Sequence, residues 1–365
     1  MKKKVIISGG GTGGHIFPAV SIGAEIRRRE PDADLLFVGA RGGMEMEVVP
    51  RYDFPIEGVW ISGIQRQLTL RNIGRNALFP IKLISSLIQA RRIMNSFQPD
   101  VVIGVGGYAS GPMGRVASGR KVPLILCEQN AYPGLVNRWL AKYADKILLG
   151  NGDAEKYFES SKTVVTGNPI RSFELPSKKV AREKLGLDPD KPTLLSLGGS
   201  LGARTINQAL LADHHKIIEA EAQILWQCGK YYIENLRKEV PDHPQVLLQA
   251  FIQDMGTAYA AADLIISRAG ASTISELIAL SKPAVIVPSP NVAEDHQTKN
   301  ALSLTEKQAA VLVKDVEAQK SLVATALSIL GDASRLEKLE KNIASIEKHD
   351  SAREIVDVIF DELDK

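Results

Sequence analysis

Short apolar runs alternate with amphipathic stretches along most of the chain, and the alternation predicts the elements. Apolar runs at 4–8, 35–38, 101–105, 124–127, 146–149 and 163–166 read as strands, that at 101–105 as a buried one. A helical stretch over 18–29 separates the first two. Residues 172–190, rich in Pro, Lys and Ser, read as a boundary with a short helix. The pattern then restarts. A strand at 193–197 runs into a glycine loop and a helix over 205–211, with further strands at 222–227, 246–249, 264–267, 284–287 and 310–313. At 351–363, Ile355, Val358, Ile359 and Leu363 recur at helical spacing and predict an amphipathic helix. Strands alternating with helices predict α/β architecture with parallel sheets. The restart predicts two doubly wound domains, 1–171 and 172–347, with a last helix (about 348–365) packing back on the first domain. Ligands of such sheets bind at the carboxyl ends of the strands, which points to an interdomain cleft.

Composition is that of a globular chain of 365 residues, 44% hydrophobic and 24% charged. No apolar run reaches the roughly 18 residues of a membrane-spanning helix. The lysines at 2–4 are followed by only three apolar residues before the first glycines, too few for a signal peptide. Two cysteines, Cys127 and Cys228, fit a reducing compartment and no metal cluster, so the cytoplasm is the default expectation.

Charge changes the picture. Residues 1–171 hold 23 Lys+Arg against 14 Asp+Glu; the remainder holds 22 against 28. From 58 to 99 there is no acidic residue, while Arg66, Arg71, Arg75, Lys82, Arg91 and Arg92 interleave with aliphatic side chains. Apolar residues among cations describe a segment lying on an anionic membrane surface. Nucleic acid is the weaker alternative, since stacking favours aromatics. A core helix over 80–97 with a basic outer face is the plain alternative.

The first glycine loop, residues 9–14, satisfies G-x-G-x-x-G between a strand and a helix. The dinucleotide reading also wants an acid after the second strand. Val38-Gly39-Ala40-Arg41 offers none, although Arg41 leaves NADP open. No Gly-Lys-Ser/Thr follows, so it is not a P-loop. What remains is a helix N-terminus suited to an anion or a developing negative charge. His15, directly after the glycines, is the candidate general base. Gly198-Gly199-Ser200 offers donors to phosphate, and Arg171 is suited to a diphosphate. Residues 267–273 follow a strand and open a helix, with Glu276 placed for a ribose diol. Asp32-Ala33-Asp34 and Asp188-Pro189-Asp190 precede strands and read as solvated turns, so no metal site is expected.

These motifs together resemble the MurG family of bacterial cell-wall glycosyltransferases. The similar segments are 10–18 (GGTGGHIFP), 104–112 (GVGGYASGP), Glu128-Gln129-Asn130, 166–171 (TGNPIR), 198–203 (GGSLGA) and 267–276 (SRAGASTISE). They occur in family order over nearly the whole chain. The resemblance implies a GT-B fold and inverting transfer of N-acetylglucosamine from UDP-GlcNAc to the C4 hydroxyl of the muramoyl sugar of lipid I, without a metal cofactor. Other UDP-sugar enzymes of the same fold (a glycolipid synthase, an epimerase) or a nucleotide-sugar binding protein are the alternatives. Carried over, UDP-GlcNAc contacts fall on Thr12, Gly13, Gly14, Asn130, Arg171, Ser200, Ile252, Ala271, Ser272, Thr273, Glu276 and Gln297. Some members carry two glutamines where this chain has His296-Gln297. His15 is the first candidate base and Glu128 the second. A membrane-bound acceptor implies a peripheral protein on the cytoplasmic face of the membrane, touching anionic lipid through Arg71, Ile73, Arg75, Leu78, Phe79 and Lys82, with no nucleic-acid partner.

Overall fold

The computed structural model describes residues 2–63, 77–170, 173–199, 201–292 and 295–364. The chain divides into two compact units, 1–171 with 349–365, and 172–348.

The first unit holds seven parallel strands: β1 (Lys4–Ser8), β2 (Asp34–Ala40), β3 (Ile56–Val59), β4 (Val101–Gly104), β5 (Leu124–Glu128), β6 (Lys146–Leu149) and β7 (Thr163–Val165). Their order is β3-β2-β1-β4-β5-β6-β7. Its helices are α1 (Gly13–Arg29), α2 (Glu45–Val48), α3 (Phe79–Phe97), α4 (Ser110–Gly119) and α5 (Leu135–Leu140). Strand side chains alternate between faces, and both faces are dry. Val5 and Ile7 join one core with Ile16, Ile22 and Ile26 of α1; Ile6 joins the other with Met94 of α3 and Met113 of α4.

The second unit repeats the plan with β8 (Thr193–Leu197), β9 (Gln223–Gln227), β10 (Val246–Gln249), β11 (Leu264–Ser267), β12 (Ala284–Ile286) and β13 (Val311–Leu312). The order is β10-β9-β8-β11-β12-β13. Its helices are α6 (Lys178–Lys184), α7 (Arg204–Glu219), α8 (Ile233–Glu239), α9 (Met255–Ala261), α10 (Ala271–Ala279), α11 (His296–Thr305), α12 (Ala318–Leu330) and α13 (Ala333–Ala344). The closing helix, α14 (Ser351–Leu363), belongs to the first unit: Ile355, Val356 and Ile359 are buried in its core, and Arg29 meets Asp357 at 2.7 Å.

Three differences from the periodic pattern have a clear cause. Helix α1 begins at Gly13 rather than Pro18, because glycines hide a first turn from propensity while leaving its N–H groups open. Helix α7 runs to Glu219, past the polar Asp213-His214-His215 stretch that interrupts its apolar face. Strand β3, an edge of four residues around a glycine, carries no alternation to read.

Both sheets reverse strand order between their first and fourth strands, at β1/β4 and β8/β11. The loops leaving these four strands therefore gather at the switch point of each sheet, where doubly wound folds bind ligands.

Candidate active site

In the first unit the loop after β1 runs through Gly9, Gly10 and Gly11, all at positive φ. It lies against the loop after β4: Gly10 N donates to Gly106 O at 3.2 Å. A Cβ on Gly107 would stand 2.3 Å from the Gly10 carbonyl oxygen, so only glycine permits this approach. Thr12 is the N-cap of α1, and its carbonyl accepts from the N–H groups of His15 and Ile16. Gly13 and Gly14 open the helix, so their N–H groups point out of the first turn.

Beneath the loop sits Glu45, 2% exposed, which the sequence reading passed over. Its Oε2 accepts from Gly11 N and its Oε1 from Ala40 N, each at 2.8 Å. A Cβ on Gly10, Gly39 or Gly43 would come within 2.3–2.6 Å of this side chain. Three glycines thus make room for one carboxylate. The charge also argues against the dinucleotide reading, because it occupies a loop N–H that a pyrophosphate would need.

His15 lies in the first turn of α1. Its Nδ1 is 3.1 Å from Gly10 O and 3.3 Å from Thr12 Oγ1. A carbonyl only accepts, so Nδ1 carries a proton, and in the neutral ring Nε2 holds the lone pair. The Nε2 edge faces Gly106, whose Cβ would be 2.8 Å away.

Glu128, at the end of β5, is buried, and both oxygens are taken. Oε1 accepts from Asn130 N and Nδ2 at 3.0 and 3.1 Å; Oε2 accepts from Gly134 N and Asn137 Nδ2, both at 2.9 Å. Four donors hold this carboxylate, the second candidate base, in place and tie it to the loop after β5. It also sets the side chain of Asn130. Next to it, burial pushes the Cys127 thiol up to about 12, so the sulfur is inert.

In the second unit the loop after β8 is held by Gln227, buried at the end of β9. Its Oε1 accepts from Gly198 N at 3.0 Å and its Nε2 donates to Gly199 O at 2.9 Å. A cavity of about 520 Å³ opens there, lined among others by Gly198, Arg204, Thr205, Arg268, Ser289 and Gln297. Gln297 Oε1 accepts from Ser289 N at 2.8 Å. Asp315 was not foreseen: it meets Arg268 at 2.5 Å and accepts from Thr205 Oγ1 at 3.1 Å, joining two walls of the cavity.

Ala271, Ser272 and Thr273 form the first turn of α10, after the extended N-cap Gly270. Their N–H groups precede the first helical bond, from Ile274 N to Gly270 O. Glu276 is buried one turn on, and Tyr259, fully buried on α9, donates to its Oε2 at 2.5 Å. Ile252 follows β10 with its side chain in the core. Arg171 and Ser200 lie outside the described residues, as do Arg71, Ile73 and Arg75. Of the remaining expected membrane contacts, Leu78 is exposed. Phe79 instead packs on the core beneath α3, and Lys82 donates to Ser62 Oγ at 2.8 Å beside the Trp60 ring. The most exposed apolar side chains of α3 are Ile81 (57%), Ile84 (61%) and Ile88 (47%), one face of the helix. No described helix is long and apolar enough to cross a membrane.

Both D-x-D strings lie away from the switch points. Asp34 opens β2 and meets Lys2 at 2.7 Å; Asp190 meets Lys179 at 2.7 Å in the turn before β8. Among the described residues no three His, Cys, Asp or Glu side chains gather as a metal site.

Two doubly wound units, each with a glycine loop at its switch point, have the architecture of the GT-B class. Residues 5–149 match the Glycosyltransferase family 28 N-terminal domain and 193–356 its C-terminal domain. The chain is 48% identical to the UDP-N-acetylglucosamine–N-acetylmuramyl-(pentapeptide) pyrophosphoryl-undecaprenol N-acetylglucosamine transferase of Parabacteroides distasonis, over 100% of this chain and 99% of that one. It is 47% identical to the enzyme of the same name from Cytophaga hutchinsonii, over 98% and 96%. The crystal structure of Acinetobacter baumannii MurG superposes with a TM-score of 0.77 at 28% identity, covering 98% of this chain and 99% of that one. The chain belongs to the MurG family of N-acetylglucosamine transferases.

Proposed function

We propose that this protein transfers N-acetylglucosamine from UDP-GlcNAc to the C4 hydroxyl of the muramoyl sugar of lipid I, giving lipid II and UDP. The observation that carries the reading is identity of nearly half the residues, over the full length, to transferases bearing that name.

The chemistry follows from groups in each unit. The acceptor oxygen attacks the anomeric carbon as the bond to UDP breaks, and the single displacement inverts the centre. His15 Nε2 takes the hydroxyl proton, because Gly10 O holds the other ring proton on Nδ1. The departing diphosphate gains charge. The N–H groups of Ala271, Ser272 and Thr273 stabilise it at the start of α10, with Ser200 and Arg171 as further donors. These donors make a metal cofactor unnecessary. Glu276, oriented by Tyr259, accepts from the ribose hydroxyls; Ile252 meets the uracil through its backbone. Gln297, Asn130 and the Thr12–Gly14 turn contact the donor. The exposed face of α3, with Lys82, Arg91 and Arg92 on the same helix, rests on anionic lipid at the cytoplasmic surface of the membrane, where the acceptor resides. Bare isoleucines favour a bilayer over nucleic acid as the partner of this helix.

The test is transfer of radiolabel from UDP-GlcNAc to a lipid I analogue with chelator present. Labelled lipid, with UDP release requiring both substrates, is the expected result. Turnover of UDP-GlcNAc without lipid would identify an epimerase instead. Donor binding with no product under every acceptor would identify a binding protein.

A further inference from the structure

The two glycine loops are alike in form but are anchored differently. In the second unit the anchor is the neutral amide of Gln227. In the first it is a buried carboxylate, Glu45, and among the described residues no Lys or Arg is paired with it. Here two N–H groups need two acceptor oxygens, which a carboxylate has and an amide lacks, and the carboxylate also brings a buried charge.

The hydrogen bonds show where it is directed. Glu45 Oε2 accepts from Gly11 N at 2.8 Å, and Gly10 O faces His15 Nδ1 at 3.1 Å. Gly10 C=O and Gly11 N–H are the two ends of one peptide group. In a trans peptide they point in opposite directions, so the three groups form a line: carboxylate, peptide, imidazole. A negative charge on the N–H side polarises the amide and enriches its carbonyl oxygen in electron density. That strengthens the bond from His15 Nδ1–H and favours the imidazolium that forms when Nε2 takes a proton.

We propose that Glu45 is a positioning residue for the general base, acting on His15 through the Gly10–Gly11 peptide as a directly bonded carboxylate does in a histidine–carboxylate pair. The inference rests on the reading of His15 as base. The glycines fit this role. Gly10, Gly39 and Gly43 leave space for the carboxylate, and Gly107 packs closely against the Gly10 carbonyl.

The experiment is a double-mutant cycle in the full-length enzyme with a lipid I analogue. Glu45→Gln keeps the shape, removes the charge and leaves only one acceptor for two N–H groups. We expect it to lower kcat by roughly 10–100-fold, part of the about 10²–10⁴ that a positioned base supplies, with KM for UDP-GlcNAc unchanged. In a His15→Ala background the same change should cost less than about twofold, since there is no imidazole left to act on. Equal cost in both backgrounds would overturn the proposal, as would wild-type kcat in Glu45→Gln. A His15→Ala enzyme with wild-type kcat would remove the base assignment and the relay together, and it is read independently of Glu45. A second measurement needs no variant: 15N spectra of the neutral His15 ring in the wild-type enzyme. A proton on Nδ1 supports the relay; a proton on Nε2 overturns it.

Discussion

Tyr259 and Glu276 show how much of a proposed binding residue's behaviour is set by a neighbour. The carboxylate lies on α10, while the hydroxyl that holds it comes from α9 at 2.5 Å and is fully buried. One Glu276 oxygen is thereby committed. Tyr259→Phe leaves the ring in place and removes that donor, and stranding a buried hydrogen-bond partner costs about 1–3 kcal/mol. Titration with UDP should show an affinity loss of roughly tenfold, since about 1.4 kcal/mol is a factor of ten. kcat at saturating donor should change little. Glu276 itself was legible from its place after the glycine loop; Tyr259 was not, because a tyrosine in an apolar stretch is indistinguishable from core. Glu45 escaped for a related reason. Its chain neighbours are ordinary, and only folding brings it under glycines more than thirty residues earlier.

At the scale of the element, α3 carries the membrane reading. Its composition, cations and aliphatics without acids, is plain in the sequence, but the faces are not. Phe79 and Met94 turn toward the core, whereas Ile81, Ile84 and Ile88 face water. Burying an exposed isoleucine gains about 1.5–3 kcal/mol. Ile84→Glu should therefore weaken sedimentation with anionic vesicles by roughly tenfold or more, at about 1.4 kcal/mol per tenfold, while leaving the melting temperature unchanged. Added salt should weaken it too, because each nearby Lys or Arg contributes about 1 kcal/mol that ions screen. Sedimentation unaffected by both changes would remove the membrane reading of this helix.

At the scale of the whole molecule, each unit has its own buried cores on both faces of its own sheet. Two such units need not unfold as one. Apart from Arg171, the proposed UDP contacts of the phosphate and ribose lie in the second unit. Saturating UDP, at about a hundred times its Kd, adds roughly 2.7 kcal/mol to whatever binds it. Calorimetry should show the transition of residues 172–348 moving up with UDP, ahead of that of the first unit. Equal movement of both transitions would show that UDP stabilises the units together.

The sequence by itself determined the class of architecture, the repeat of strand, glycine loop and helix, and the family, because these depend on local period and on motifs a few residues long. It also pointed to His15, Glu276 and the start of α10. The tertiary structure decided which side chains make those motifs work. Glu45 beneath the first loop, Gln227 beneath the second, Asp315 between two walls of the cavity and Tyr259 behind Glu276 are all distant in sequence from what they hold. It also showed Glu128 held by four donors. Hydrogen-bond partners across a sheet's switch point are set by strand order, and strand order leaves no mark on the residues it brings together.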